Sequence, residues 1–493
     1  MNSQSPKSLV LITVDCLRAD HCGWHGYPLP TTPFLDTLTR ESLVIPAAIV
    51  AGSPTYYSIP AILGSRMPLA LGRDIVGLAP GETTLAGVLR ESGYATAAFS
   101  AGNPYISPRF GCDQGFDVFK DFLDEEKLDI NVPTPHVTDS NRSKLNRATK
   151  SLANSLGFGK LYNEFYFRYC MRQAPATVNI ETLRRFPDAG VLVDHAISWL
   201  ATIDERPFFM WLHLMDPHSP YYPRSDAYEE LTSRKIDPKR ARYLNHYWNR
   251  SDLAPSDFQK KKVDVVELYD AGIRAADSQI ARLVSSMKQT KRWDNCVFAV
   301  TADHGEEFLE HGRRYHAPMH LGEEIIHVPL FIRVPGEKGR EAPPFPMSLL
   351  HIAPTLLDIM GLKPPPTFKG QSQWRKLNSN IDADRAIDNH AITECVFGCT
   401  NPFKRESRTS HRLLSLRESR FKLTVQMDGG IEQIYDLEND PGESKANSDR
   451  ISRDVRERLL QAARRQLATI STREDSHLRL RARLRDMRYE ISD

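Results

Sequence analysis

The sequence predicts an α/β fold: a mostly parallel sheet sandwiched by helices, followed by a small C-terminal antiparallel subdomain. Three observations lead there. Short apolar runs of strand character alternate with helical stretches up to about residue 362, the pattern of a parallel sheet with crossover helices. Two of those runs, Ser8 to Val14 and Val297 to Ala302, stop abruptly at an acid, and open α/β sheets gather their ligands at the carboxyl ends of strands. Beyond residue 362 short segments separated by turn residues follow one another, which is hairpin grammar.

Taken in order, Ser8 to Val14 is an apolar strand ending at Asp15, and residues 43–50 are strand-like. The stretch from Ala51 to Ser65 leads into a short helix. Leu85 to Ser92 has helical spacing and stops at Gly93, and Tyr94 to Ser100 reads as a strand. Residues 121–180 lack clear periodicity and are expected to be an insertion shaping a pocket or an oligomer contact. Val191 to Ile203 is helical, Phe208 to Leu214 is a strand ending at Met215-Asp216-Pro217-His218, and Val263 to Met287 carries apolar residues at helical spacing before the strand that reaches Asp303.

The run Lys363-Pro-Pro-Pro366 reads as a linker. Leu413 to Leu416, Phe421 to Val425 and Ile431 to Tyr435, with an Asp-Gly-Gly turn at 428–430, make the antiparallel subdomain. The expected division is an α/β domain over 1–362 with its insertion at 121–180, a β subdomain over 363–450, and an Arg-rich helical tail over 451–493. In the tail Leu459, Leu460, Ala463, Leu467 and Ile470 share one face. That suits a solvated helix with an apolar stripe, the alternative being an anion- or membrane-binding arm.

Composition excludes some classes of function. With 41 % apolar residues, 26 % charged residues and a formal net charge of +2 over 493 residues, nothing draws the chain toward nucleic acid. The only early apolar stretch, Leu9 to Val14, is too short for a signal h-region, and no run approaches the roughly 18 apolar residues of a membrane span. A soluble cytoplasmic protein is the expectation. Seven scattered cysteines argue against a disulfide framework, and Cys395 and Cys399 lack the spacing of a zinc ribbon.

Chemistry is concentrated at the strand ends. If the strands ending at Asp15 and at Asp303-His304 are neighbours, two carboxylates and an imidazole converge on one point, a divalent-cation site in outline. Taken singly, each acid also fits a turn or helix N-cap. In Ala51-Gly-Ser53-Pro-Thr55-Tyr-Tyr-Ser58 the hydroxyls fall at or near a helix N-terminus, where free N–H groups and the helix dipole favour an anion, although an ordinary cap explains that segment as well.

The order of these pieces resembles the sulfatase branch of the alkaline phosphatase superfamily. The matching residues are Asp15 with Leu17-Arg-Ala-Asp20, Pro30-Thr-Thr-Pro-Phe-Leu-Asp36, and Asn103 with Phe110-Gly and Gly115-Phe116-Asp117. They continue through His213-Leu-Met-Asp216-Pro-His218-Ser-Pro-Tyr221, Asp303-His304-Gly-Glu, Glu310-His311-Gly312, His327-Val-Pro-Leu and Tyr435-Asp-Leu-Glu-Asn-Asp-Pro-Gly-Glu443. The resemblance covers residues 8–445 apart from 121–180, and implies an alkaline-phosphatase-like fold.

That resemblance implies Thr55 as nucleophile, with Ser53 and Ser58 as stand-ins, and Asp15, Thr55, Asp303 and His304 as metal ligands. Family sulfatases oxidise a Cys or Ser at this place to formylglycine. Thr55 lacks the following Pro and Arg of their motif, which argues against that modification and is closer to phosphodiesterase and phosphoethanolamine-transferase relatives. Cys16 stands where many relatives carry a second Asp. A hard Ca²⁺ site prefers all-oxygen ligands, whereas a mixed Asp/His set accepts Mn²⁺, Zn²⁺ or Mg²⁺. One divalent cation is expected, its identity open among these four.

By the same resemblance His218 and His316, with His320 as fallback, contact the substrate oxygens and the leaving group, work an imidazole near neutral pH can do as a general acid. Asn103 becomes a substrate contact. Arg18 either touches substrate or pairs with Asp20, and His311 carries the weakest claim. A second-metal role for Asp216, His218 and His316 is disfavoured by the single residue between 216 and 218. The implied function is metal-dependent hydrolysis of sulfate esters on a sulfated or phosphorylated small molecule or glycan. The alternatives are a phosphodiesterase or phosphoryl transferase working through phospho-threonine, and a catalytically inactive binding protein. Oligomeric state is left open.

Overall fold

The computed structural model describes residues 7–123, 149–173, 179–378, 390–427, 431–446, 451–468 and 473–492. An eight-stranded sheet runs in the order Arg340–Glu341, Leu43–Val44, Leu330–Arg333, Cys296–Ala302, Ser8–Val14, Phe208–Leu214, Ala95–Ser100 and Val118–Lys120. The last five of these are mutually parallel, and Leu330–Arg333 turns antiparallel against Cys296–Ala302. Every residue of Phe208–Leu214 and Cys296–Ala302 is buried, as near-continuous apolar strands covered on both faces should be. Burying one such side chain contributes about 1.5–3 kcal/mol.

Register decides where the chemistry falls. Val14 is level with Leu214 on one side and with Ala302 on the other. The next residues, Asp15 and Asp303, therefore leave adjacent strands at the same height, as the sequence pattern requires. Thr13 is level with His213, which brings that imidazole to the same edge.

The covering helices follow the expected periodicity. Ala189–Thr202 buries Leu192, Val193, Ala196 and Leu200, and Pro255–Gln289 buries Val265, Leu268, Ile273, Ala276, Ile280, Leu283, Val284 and Met287. The second helix begins eight residues before Val263, because Pro255 opens its first turn and the Asp257 carboxylate accepts the Ala254 N–H at 3.0 Å. Gly272 lets this helix touch the strand end beyond Leu214: a Cβ there would lie 2.5 Å from the Asp216 carbonyl oxygen.

Three expectations are sharpened or corrected. Residues 43–50 are two strands of two residues each, Leu43–Val44 in the main sheet and Ala48–Ile49 in a separate three-stranded sheet. Pro46, which has no N–H to donate, falls at the break. The insertion carries a 15-residue helix, Gly159–Gln173, while 124–148 and 174–178 lie outside the described residues. The tail is helical, and its apolar stripe is packed on the body of the chain rather than solvated: Leu459 and Ala463 are buried against Leu414, Leu416, Leu423 and Ile434, and Ala482 against Leu71, Ile75 and Ala79. Leu460 packs partly buried beside them. Arg485, in the last helix, donates to the carbonyls of Leu78 and Val76 at 2.6 and 3.1 Å.

The antiparallel sheet pairs Ala391–Val396, Arg412–Arg417, Phe421–Gln426 and Ile431–Asp436 in sequence order; its turn at 428–430 lies outside the described residues. Its first strand grips the segment ahead of Thr55. Glu394 N–H donates to the Ala51 carbonyl at 3.0 Å, Thr393 Oγ1 donates to the Val50 carbonyl at 2.5 Å, and the Glu394 carboxylate accepts from Leu69 N at 2.8 Å. Ala391, Cys395 and Leu413 belong to the main core, so the two sheets share one apolar interior. Among the described residues no helix is long and apolar enough to cross a membrane.

Candidate active site

Asp15 is fully buried where its strand ends. The following residue, Cys16, takes φ +62°, a left-handed turn that costs a non-glycine residue about 1 kcal/mol or more. The Tyr269 hydroxyl fixes this turn by donating to the Cys16 carbonyl at 2.8 Å and accepting Arg18 N–H at 3.1 Å. The Asp15 carboxylate accepts from Asn103 Nδ2 at 2.9 Å and from the Cys16 thiol at 3.1 Å, and lies 3.2 Å from His213 Nε2. Behind His213, Trp211 Nε1 donates to Thr13 Oγ1 at 3.0 Å, and Thr13 Oγ1 lies 2.8 Å from His213 Nδ1. With the Thr13 hydroxyl donating to Nδ1, His213 carries its proton on Nε2 and points it at Asp15.

Thr55 is the first residue of the helix Thr55–Gly64, all ten residues of which are buried. Its Oγ1 lies 3.2 Å from His304 Nε2. His304 donates Nδ1–H to the Gly305 carbonyl at 2.9 Å, which turns Nε2 toward the two carboxylates. Nε2 stands 3.7 Å from Asp15 Oδ1 and 3.6 Å from Asp303 Oδ2. Two buried carboxylates converging on one point repel each other unless positive charge lies among them.

The side chains present therefore fit a divalent cation. Asp303 Oδ2 is buried and has no hydrogen-bond partner, a costly arrangement unless a charge meets it. Asp15, Asp303 and Glu306 are each fully buried, and among the described residues no Lys or Arg pairs with their carboxylates. Burial disfavours the Asp15 anion, yet the imidazoles of His218, His213 and His304 outweigh it and hold this carboxyl well below the usual range. Burial and the neighbouring Glu306, Asp15 and Asp303 push the Cys16 thiol well up.

A cavity of about 760 Å³ opens over this floor, lined by Thr55, Asn103, Arg185, His218, Arg242 and His316 among others. The rings of His304 and His316 stand 4.4 Å apart and those of His218 and His316 5.1 Å apart. His218 donates Nδ1–H to the Ser219 carbonyl at 2.5 Å. His316 Nδ1 is 3.4 Å from both the Cys16 sulfur and Glu306 Oε1.

The expected site residues thus converge, with several reassigned. Thr55 lines the cavity and reaches His304, whereas the stand-ins Ser53 and Ser58 hold buried hydroxyls with no partner. Asn103 lines the cavity but spends its amide on Asp15. Arg18 does not line the cavity: its guanidinium binds Asp20 at 2.7 Å, Glu310 at 2.8 Å and the Glu306 carbonyl at 3.0 Å, the structural alternative to a substrate contact. Asp216 accepts the Ala189 N–H at 3.0 Å, and burial lifts its carboxyl to about 7; it is a helix anchor. His320 and His311 sit together elsewhere, with rings 4.1 Å apart. Sequence reasoning gave His213 and Glu306 no role, although both stand inside the matched motifs; the register of Thr13 with His213 places the first at the site.

The Sulfatase family model matches residues 7–362, and the chain belongs to that family. It is 25 % identical over 284 residues to Arylsulfatase K of Mus musculus, covering 51 % of this chain and 48 % of that protein. It is 26 % identical over 279 residues to a Sulfatase of Formosa agariphila, covering 52 % and 50 %. The chain spans about half the length of the curated relatives it matches. Two solved structures share the fold: the phosphonate monoester hydrolase of Agrobacterium radiobacter, with TM-score 0.65, 18 % identity and 94 % and 95 % coverage, and a protein in complex with its substrate D-glucosamine-2-N,6-O-disulfate, with TM-score 0.67, 17 % identity and 95 % and 98 % coverage.

Proposed function

We propose that this chain hydrolyses sulfate esters, with Thr55 as nucleophile and a divalent cation held by Asp15, Asp303, His304 and Thr55. The observation that carries the reading is the Thr55 hydroxyl at the cavity floor, 3.2 Å from His304 Nε2. When bound, such a cation supplies Lewis acidity, favouring ionisation of the Thr55 hydroxyl and offsetting charge on the ester oxygens.

The chain's own residues supply the rest. Asn103 and His213 hold Asp15 from the side away from Cys16, fixing its carboxylate plane. Arg185 and Arg242 line the cavity and suit an anionic substrate. Thr55 Oγ1 gives up its proton to solvent and attacks sulfur as the bond from sulfur to the ester oxygen breaks. His218 or His316 gives the departing oxygen its proton. Water then attacks sulfur in the sulfo group on Thr55, one of its protons returning to Oγ1 to regenerate the hydroxyl while sulfate leaves with the other released to solvent.

Threonine itself supports a second reading. It cannot become an aldehyde, so the adduct on Oγ1 leaves only through hydrolysis or transfer to an acceptor, which suits phosphoryl esters and phosphoryl transfer as well. The fold similarity to a phosphonate monoester hydrolase is consistent with that breadth. Aryl sulfate, phosphate monoester and phosphodiester substrates, assayed across Mg²⁺, Mn²⁺, Zn²⁺ and Ca²⁺, rank the readings. A mass spectrum of the Thr55 peptide after substrate exposure tests the covalent step. Turnover unchanged in Thr55→Ala would reject Thr55, and no turnover with any of the three substrate classes would leave the chain a binding protein.

A further inference from the structure

A second group of metal-competent side chains lies outside the site just described. His311, His320, Glu324 and Glu443 each offer a ligand atom, and all four atoms fall within 4.8 Å of one another. His320 Nε2 and Glu324 Oε1 are buried without a hydrogen-bond partner among the described residues, whereas Glu443 Oε1 meets Lys422 Nζ and His311 Nε2 faces Glu324 Oε2. Glu324 is 8 % exposed and Glu443 3 %. Unsatisfied buried atoms of this kind are expensive unless something joins them.

The spacing is that of a coordination shell. His311 Nε2 stands 3.4 Å from Glu324 Oε2, and His320 Nε2 stands 3.7 Å from Glu324 Oε1. Nitrogen and oxygen ligands about 2.0–2.1 Å from one tetrahedral ion lie roughly 3.3 Å apart, slightly closer than these gaps. A metal takes an imidazole through a free ring nitrogen, and His320 Nε2 is buried with no hydrogen-bond partner. Gly322 keeps the space open: a Cβ there would lie 2.4 Å from Glu324 Oε1 and 2.5 Å from His320 Nε2.

Charge counts both ways. Glu307, Glu323, Glu324 and Glu443 face one another here. Lys422, fully buried, meets Glu443 at 2.8 Å and Glu323 at 3.3 Å, and Arg417 meets Glu323 at 3.2 Å. Arg313 lies on the exposed side. The buried Lys422 and the half-buried Arg417 against four carboxylates leave a deficit that one divalent ion closes. A proton on His311, whose imidazole Glu324 holds above its ordinary range, would close half of it.

We infer that His311, His320, Glu324 and Glu443 form a structural site for a borderline divalent cation such as Zn²⁺, clamping the 311–324 loop to the C-terminal segment at Glu443. That loop carries His316, so the clamp also sets where this cavity-lining imidazole stands. The inference does not rest on the chemistry assigned to Thr55, because no ligand is shared with that site.

The test is zinc stoichiometry on the full chain. Zn²⁺ is titrated by calorimetry into chain stripped with chelator, using Asp303→Asn as background to weaken the site at Thr55. One tight equivalent is expected in that background. It should weaken by roughly 100-fold in His320→Ala and again in His311→Ala, with hydrogen exchange of residues 311–324 rising in both. Unchanged tight binding in both variants would overturn the inference, as would millimolar, nonsaturating binding in the parent, which means an adventitious ion only. Because His320 Nε2 makes no hydrogen bond, His320→Ala should fold, and near-native melting of its zinc-free form checks that.

Discussion

Thr55 Oγ1 and His304 Nε2 lie 3.2 Å apart although 249 residues separate them. One stands at the first turn of a buried helix, the other just beyond the end of a central strand. The contact exists because the C-terminal sheet pins Val50 and Ala51, which sets where the helix begins.

Removing the hydroxyl should therefore stop the chemistry while leaving the fold. Thr55→Ala is expected to lower kcat by at least about 10³-fold on whichever ester is the substrate, and Thr55→Ser to keep much of it. Steady-state rates, with circular dichroism to confirm folding, check this.

Asp303→Asn should separate metal binding from stability. Its Oδ2 is buried without a partner, so the metal-free variant should melt no lower than the metal-free parent. A ligand at 100 times its Kd raises stability by about 2.7 kcal/mol, and the variant should lose most of that gain at the same metal concentration. Calorimetric scans with and without metal measure both terms.

If His316 or His218 protonates the leaving oxygen, its replacement by Gln should hurt poor leaving groups most. A loss of about 10²–10⁴-fold is expected for alkyl esters and much less for nitrophenyl esters. Equal losses across a leaving-group series would assign the residue to binding instead.

Glu394 is fully buried, accepts from Leu69 N and pairs with Arg412 at 2.9 Å. Glu394→Ala strands both partners and should cost about 3–5 kcal/mol, read from urea unfolding. Glu394→Gln, which can still accept from Leu69 N, should cost less.

Asp277 accepts the Phe34 and Leu35 N–H groups at 3.0 and 2.8 Å, at the start of the helix Pro33–Thr39. Burial, only partly offset by those bonds, lifts its carboxyl from 3.8 to about 7. The folded chain thus holds this proton more tightly than the unfolded one. The stability this adds is complete below the unfolded value and lost as pH rises through about 7. Relative to Asp277→Asn, the parent should lose on the order of 3 kcal/mol between acid and pH 8, measured by unfolding both proteins across that range.

Much of this was legible beforehand because apolar periodicity and strand endings are local properties. Ser8–Val14 and Phe208–Leu214 stand where the pattern put them. Residues 43–50 were less legible, since continuous apolar character cannot show that Pro46 divides the run between two sheets. The tail's stripe was visible, but nothing in it showed that Leu459 and Ala463 would meet the β subdomain.

The sequence by itself determined the alternating architecture, the family, and that Asp15, Asp303 and His304 end strands. Those are set by residue type and short-range order. Tertiary structure alone decided the partners. It gave Asn103 and His213 to Asp15, turned Arg18 to Asp20 and Glu310, and drew His311 and His320 away from the cavity to Glu324 and Glu443. A side chain's partner depends on strand register and helix packing across hundreds of residues, distances that no local pattern encodes.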